Sequence, residues 1–140
     1  MGPQDTSPED RAQPFLARRN KALLVHEDPQ AVDYYGSILE EWGYQVRACR
    51  SYEEGVCCLE TEVFDFILVS QGSNRFEGCL VLKRALEVDR DSRVLVVARS
   101  LEMSCYLEAM QLGAVDYLAE PVTLAEIGRV LGSHRRLESR

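Results

Sequence analysis

From Lys21 onward, short apolar runs alternate with stretches in which apolar residues recur every three or four positions. The runs suit buried strands and the recurring stretches suit amphipathic helices, so the alternation predicts a parallel sheet built from βαβ units. Ala22-Leu23-Leu24-Val25 reads as the first strand, and Pro29 then stands where a first helical turn tolerates proline. Val32, Tyr35, Leu39 and Trp42 repeat at helical spacing, and Gly43 closes that helix. Gln45-Val46-Arg47-Ala48-Cys49 forms a weaker second strand. Ser51 is placed to cap a short helix through Leu59, with Glu54 in the capping-box position. Phe66 to Val69 is the third strand, Leu80 to Leu86 the third helix, Arg93 to Ala98 the fourth strand and Leu101 to Leu112 the fourth helix. Val115 to Leu118 and a helix from Thr123 to about Arg135 complete five β/α pairs.

Parallel strands of this kind are joined by right-handed crossovers, and ligands gather beyond their carboxyl ends. The residues that follow the strands therefore form one candidate cluster: His26, Glu27 and Asp28; Ser70, Gln71 and Gly72; Ala98, Arg99 and Ser100; Glu120 and Pro121. Two close carboxylates destabilise each other, so Glu120 beside Glu27 requires a cation, with His26 the nearest by position and Arg99 or Arg75 next. No G-x-S-x-G turn surrounds Ser70, and Gly72 and Gly78 form neither a P-loop nor a dinucleotide fingerprint. His26 with Glu27 lacks an activated nucleophile nearby, so a hydrogen-bonded polar remnant is expected there rather than an enzyme's acid/base pair.

Composition narrows the class. The chain has 140 residues, 46% of them apolar and 28% charged, which suits one soluble domain. No apolar run approaches the roughly 20 residues that a membrane helix needs. The net charge of -7 disfavours nucleic acid as a partner, and the basic cluster Arg135-Arg136 with Arg140 is short and terminal. Residues 1–19 are polar, hold three of the five prolines and lack a secretory apolar core, so they are expected to be a disordered tail. The domain is expected over residues 20–135, with a second tail over 136–140. Five cysteines without a C-x-x-C pair read as free thiols in a reducing cytoplasm. The adjacent Cys57-Cys58 is expected to place one or both thiols on the buried side of a helix rather than act as a redox device.

Asp65-Phe66-Ile67-Leu68-Val69 before a loop ending in Gly78, with Gly113-Ala114-Val115-Asp116-Tyr117-Leu118 before an X-Pro bond, resembles the CheY-like receiver domain of bacterial response regulators. The resemblance covers roughly residues 20 to 135. It implies a flavodoxin-like doubly wound sheet of five parallel strands, order 2-1-3-4-5, with five helices in a single domain. In that family acidic residues after the first strand hold Mg²⁺, and an aspartate after the third takes phosphate. A hydroxyl residue after the fourth strand and a lysine after the fifth contact the phosphoryl oxygens, and an aromatic in the fifth strand reports the change.

Carried across residue by residue, His26 and Glu27 stand at the acidic positions, with Asp28 beside them. Ser70 stands at the phosphoacceptor, Ala98 at the hydroxyl and Glu120 at the lysine, whereas Tyr117 and Pro121 keep the pattern. Serine cannot form an acyl phosphate, and Glu120 would repel a phosphoryl group. Glu27 is a weak metal candidate: even with Asp28 it makes a poor octahedral cage, so Mg²⁺ binding and other cofactors are not expected.

The expectation is a degenerate pseudo-receiver in bacterial two-component or phosphorelay signalling, acting as a phosphorylation-independent interaction module and not as an enzyme. Its partner would be a histidine kinase, another regulator or an output domain, the last not expected within this chain, which stops soon after the final helix. In the family, the fourth helix, fifth strand and fifth helix commonly form an association face. Met103, Tyr106 and Met110 repeat along that helix and are a possible interface or homodimer contact, although amphipathic helices normally bury such a stripe in the core. Two alternatives stay open: another modification, such as phosphorylation of Ser70 by a serine kinase, and a small enzyme or ligand binder using the cleft.

Overall fold

A computed structural model describes residues 20–138; the tail expected over residues 1–19 and the last two residues lie outside the described residues. Strands β1 (Lys21–Val25), β2 (Gln45–Cys49), β3 (Phe66–Ser70), β4 (Arg93–Ala98) and β5 (Asp116–Ala119) alternate with helices. These are α1 (Pro29–Glu41), α2 (Tyr52–Thr61), α3 (Cys79–Val88), α4 (Met103–Leu112) and α5 (Leu124–Glu138). All pairings are parallel and the order is β2-β1-β3-β4-β5, a flavodoxin-like doubly wound sheet. In register, Val25 lies opposite Val69, Ser70 opposite Val97 and Ala98 opposite Ala119. The residues that leave the strands therefore meet along one edge.

The central strands are buried on both faces, as helices on both sides require. Leu23, Val25, Ile67, Val69, Val94 and Val96 pack with α2, α3 and α4, while the alternating Ala22, Leu24, Phe66, Leu68, Leu95 and Val97 pack with α1 and α5. Burial of each large side chain in this set stabilises the fold by about 1.5–3 kcal/mol. Local chemistry sets the helix ends. Asp28 accepts the Gln30 amide at 3.0 Å ahead of Pro29, and Ser51 accepts the Glu54 amide at 3.1 Å while Glu54 accepts that of Arg50. Gly43, at φ 95°, turns the chain away from α1 after Trp42.

Several boundaries differ from those expected. Ser70 is the last residue of β3 and not the first beyond it. Helix α4 starts at Met103, two residues later than expected, because Glu102 has an extended backbone. Helices α2, α3 and α5 run past their apolar cores to Thr61, Val88 and Glu138, since apolar spacing does not mark a helix's polar ends. Residues 136–138, expected in a tail, are thus helical.

The core role expected for the α4 stripe fails for two of its three residues: Met103 is 70% exposed and Tyr106 40%. Helix α4 instead faces the sheet with the small residues Cys105 and Ala109, which bring it close and leave its bulky side chains outward; Met110 packs at the core's margin. Among the described residues no helix is long and apolar enough to cross a membrane.

Candidate functional site

The carboxyl edge of the sheet divides into a closed half and a more open one. In the closed half His26, 1% exposed, follows β1. Its Nδ1 accepts the Asp28 amide at 3.1 Å, which assigns the proton to Nε2, and Nε2–H donates to Glu120 Oε2 at 2.9 Å. The Tyr35 hydroxyl, brought in by α1, donates to the same oxygen at 3.0 Å and accepts the Val122 amide at 3.3 Å. Tyr34 donates to the Val122 carbonyl at 2.9 Å, so two adjacent tyrosines tie α1 to the turn after β5, where the Glu120-Pro121 bond is cis. Burial alone would raise the Glu120 pKa. The hydrogen bonds from His26 and Tyr35 and the positive charge of Arg99 outweigh it and hold the carboxyl below the usual range. Burial, with the Glu120 charge, pushes the Tyr35 phenol well up, so it remains a donor at neutral pH.

His26 is thus the partner that meets Glu120. Arg99 lies 3.9 Å from Asp28, largely in solvent, and Arg75 acts on Glu77.

In the open half Glu27 is 46% exposed and receives the Tyr52 hydroxyl from α2 at 2.9 Å. Ser70 is 4% exposed, and its Oγ accepts the Gly72 amide at 3.1 Å. Gly78 approaches so closely that a Cβ there would lie 2.0 Å from the Ser70 carbonyl oxygen, which excludes any larger residue. Ala98 offers no side-chain donor or acceptor; its carbonyl accepts the Glu120 amide at 2.9 Å. A cleft of about 180 Å³ opens between Glu27, Ser70, Gly72, Arg99, Glu102 and Glu120.

Tyr117 on β5 is buried and turned inward. Its hydroxyl donates to Gln71 Oε1 and accepts the Glu102 amide at 3.1 Å, while Gln71 Nε2 donates to the Ser100 carbonyl at 3.3 Å. This ties the end of β3 to the loop that starts α4. The Tyr106 ring packs edge-on against Tyr117 with centroids 5.8 Å apart. Pro121 is exposed beside the closed half.

Two partners escaped the sequence reading: Tyr35 stood only as a member of the apolar repeat of α1, and Tyr52 was not singled out. Gln71 stood in the candidate cluster, but without its contact to Tyr117. The available signal was chemical: a tyrosine on the buried stripe of a helix brings a hydroxyl that must find a partner.

A doubly wound sheet with a polar, carboxylate-bearing carboxyl edge and an inward aromatic on its fifth strand defines the receiver class. Residues 22–131 match the response regulator receiver domain, and the chain belongs to that family of two-component signalling domains. It is 24% identical over 109 residues to the transcriptional regulatory protein ZraR of Salmonella typhimurium, covering 78% of this chain and 25% of ZraR. It is 27% identical over 123 residues to the alginate biosynthesis transcriptional regulatory protein AlgB of Pseudomonas aeruginosa, covering 88% of this chain and 27% of AlgB. The chain thus spans about a quarter of the length of these relatives. In fold it resembles the CheY-like receiver domain protein of Methanospirillum hungatei JF-1, with TM-score 0.75 and 23% identity over 82% of this chain and 92% of that one.

Proposed function

We propose that this receiver domain is a pseudo-receiver: a protein-interaction module that works without aspartyl phosphate. One observation carries the reading. Where a phosphoryl group would need a cation, Glu120 projects a carboxylate already satisfied by His26 and Tyr35. An arriving phosphoryl group would meet negative charge and would have to displace bonds that already complete the network. Ser70 supplies a hydroxyl in place of a carboxylate, and Ala98 supplies no hydroxyl.

The donors at this edge do not fit Mg²⁺. Glu27 Oε1 receives Tyr52, Asp28 Oδ1 caps α1, and the His26 nitrogens are both engaged. Among the described residues no three carboxylate, histidine or cysteine side chains are grouped to hold a metal ion, which weighs against an octahedral site. Burial of Ser70 against the Gly72 amide weighs against modification by a serine kinase.

The face left to act is α4. Met103, Tyr106 and Leu107 are exposed there beside Leu101, and the Gln71–Tyr117–Glu102 bonds hold the helix's leading loop in place. This face suits a protein partner in the cytoplasm, either a histidine kinase, another regulator or an output domain, or a second copy of the chain. No catalysis and no nucleic-acid contact is assigned to it. Incubation with acetyl phosphate, or with beryllofluoride and Mg²⁺, is expected to leave the intact mass and the amide spectrum unchanged. A hydroxylamine-labile adduct would overturn the proposal. Met103→Glu with Tyr106→Glu is expected to abolish capture of partner proteins that the unmodified domain retains with or without acetyl phosphate.

A further inference from the structure

The adjacent Cys57 and Cys58 were not expected to form a redox device, and they do not pair with each other. The α2 helix turns Cys57 to solvent and Cys58 inward. There Cys58 meets Cys49, the last residue of β2, with the two sulfurs 3.5 Å apart and both side chains buried. Beside Cys58 lies the half-exposed Arg47, whose positive charge acts on the Cys58 sulfur and whose guanidinium reaches Glu62 at 3.1 Å. The three parts have distinct chemistry: a thiol beside a permanent cation, a second thiol in contact with it, and an edge of the sheet reached from solvent along the arginine.

We propose that Cys49 and Cys58 form a dithiol site that a small peroxide oxidises to an intramolecular disulfide. Cys58, the sulfur on the side of Arg47, is the attacking one. That sulfur bonds to one peroxide oxygen, the O–O bond breaks, and the departing hydroxide takes up a proton to leave as water, giving a sulfenic acid on Cys58. Cys49 then loses its proton and its sulfur attacks that of Cys58; the S–O bond breaks and a second water leaves. Two thiols supply the two electrons that reduce the peroxide. Burial first, and the neighbouring Cys58 next, push the Cys49 thiol up to about 12, so Cys49 is not the sulfur that meets the peroxide first.

Closing the sulfurs from 3.5 Å to a bond of about 2.0 Å draws α2 onto the end of β2. Both elements touch the candidate site. The Cys49 carbonyl accepts the His26 amide at 3.0 Å, and α2 carries Tyr52 to Glu27.

The test is stoichiometric hydrogen peroxide on the folded chain, followed by thiol alkylation, proteolysis and mass spectrometry. The expected product is a peptide pair linked through Cys49 and Cys58, lighter by two hydrogens and restored by dithiothreitol. Cys57→Ser retains the link. Arg47→Gln forms it several-fold more slowly, and in Cys49→Ser dimedone traps a sulfenic acid on Cys58. The urea-unfolded chain is expected to give a mixture that includes Cys49 linked to Cys57. The proposal is overturned if the folded chain gives no Cys49–Cys58 link, gives the same mixture as the unfolded chain, or overoxidises Cys58 without cross-linking. Because the wild-type and Cys57→Ser proteins carry the decision, a fold defect in the other variants would not remove it.

Discussion

At the amino end of the sheet the buried Arg93 guanidinium meets Asp65 at 2.5 Å beside Tyr44, while at the carboxyl end Glu120 is met by a histidine and a tyrosine. Arginine cannot shed its proton, so the amino end is held by a permanent charge, and Arg93 Nε has no hydrogen-bond partner. At the carboxyl end both His26 nitrogens, the Tyr35 hydroxyl and the Glu120 oxygen they share are linked in one network. The first arrangement is a strut between the start of β4 and the residue before β3. The second lies on the carboxyl edge, beside the cleft that Glu27, Ser70 and Arg99 line. A buried charge therefore does not mark function; what separates the two ends is whether the surrounding donors converge on a cleft.

The largest expected effect tests the strut. Arg93→Met removes one partner of a buried pair, and such a loss costs about 3–5 kcal/mol in global stability. Urea unfolding at neutral pH is the measurement. Adding Asp65→Leu is expected to recover most of the loss, because two apolar residues replace two charges. A single variant of near-wild-type stability would show that the amino end is not held by this pair.

A smaller effect, with a pH signature, is expected at the carboxyl end. Glu120→Ala removes the acceptor of two charge-assisted bonds and should cost about 2 kcal/mol at pH 7. Because the folded pKa of Glu120 lies below its ordinary 4.5, folding favours the ionised form. Its stabilising contribution is fully present above that ordinary value and is lost as pH falls through the lowered one. The stability gap between wild type and Glu120→Ala should therefore narrow in acid, measured by urea midpoints from pH 7 down to the acid limit of folding. A gap that stays constant would mean that packing, not the carboxylate, carries the effect.

Much of the contrast between the two ends was legible before any coordinates. Apolar runs placed β1, β3 and β4, because parallel strands buried on both faces leave a continuous apolar signature, and the alternation with helices placed the edge strands β2 and β5. Crossover geometry then brought His26, Ser70, Ala98 and Glu120 to one edge, and the repulsion expected between Glu27 and Glu120 pointed to His26. Arg93 was read only as the first residue of a strand, and Tyr35 only as part of a helix repeat. Both act through contacts distant along the chain, Arg93 with Asp65 and Tyr35 with Glu120 and Val122, and periodicity carries no information about such partners. The outward turn of Met103 and Tyr106, offered by the sequence beside the core role it favoured, was left undecided for a related reason. Which side of an apolar helix faces the sheet depends on how closely the helix can approach, and here Cys105 and Ala109 set that distance.

The smallest effects separate the two tyrosines at the carboxyl edge. Tyr35→Phe keeps the ring in its buried place but removes a donor to Glu120 and an acceptor for the Val122 amide. Both groups are sheltered from water, so the loss should be about 1–2 kcal/mol in urea unfolding. Tyr52→Phe removes a bond of 2.9 Å to Glu27, yet Glu27 is nearly half exposed and water can take the hydroxyl's place. That change should stay within about 0.5 kcal/mol, the range of surface substitutions. Equal losses would mean that Glu27 is as enclosed as Glu120 and that the edge is closed along its whole length. Unequal losses leave the Glu27 side as the half that can exchange its partner without disturbing the fold.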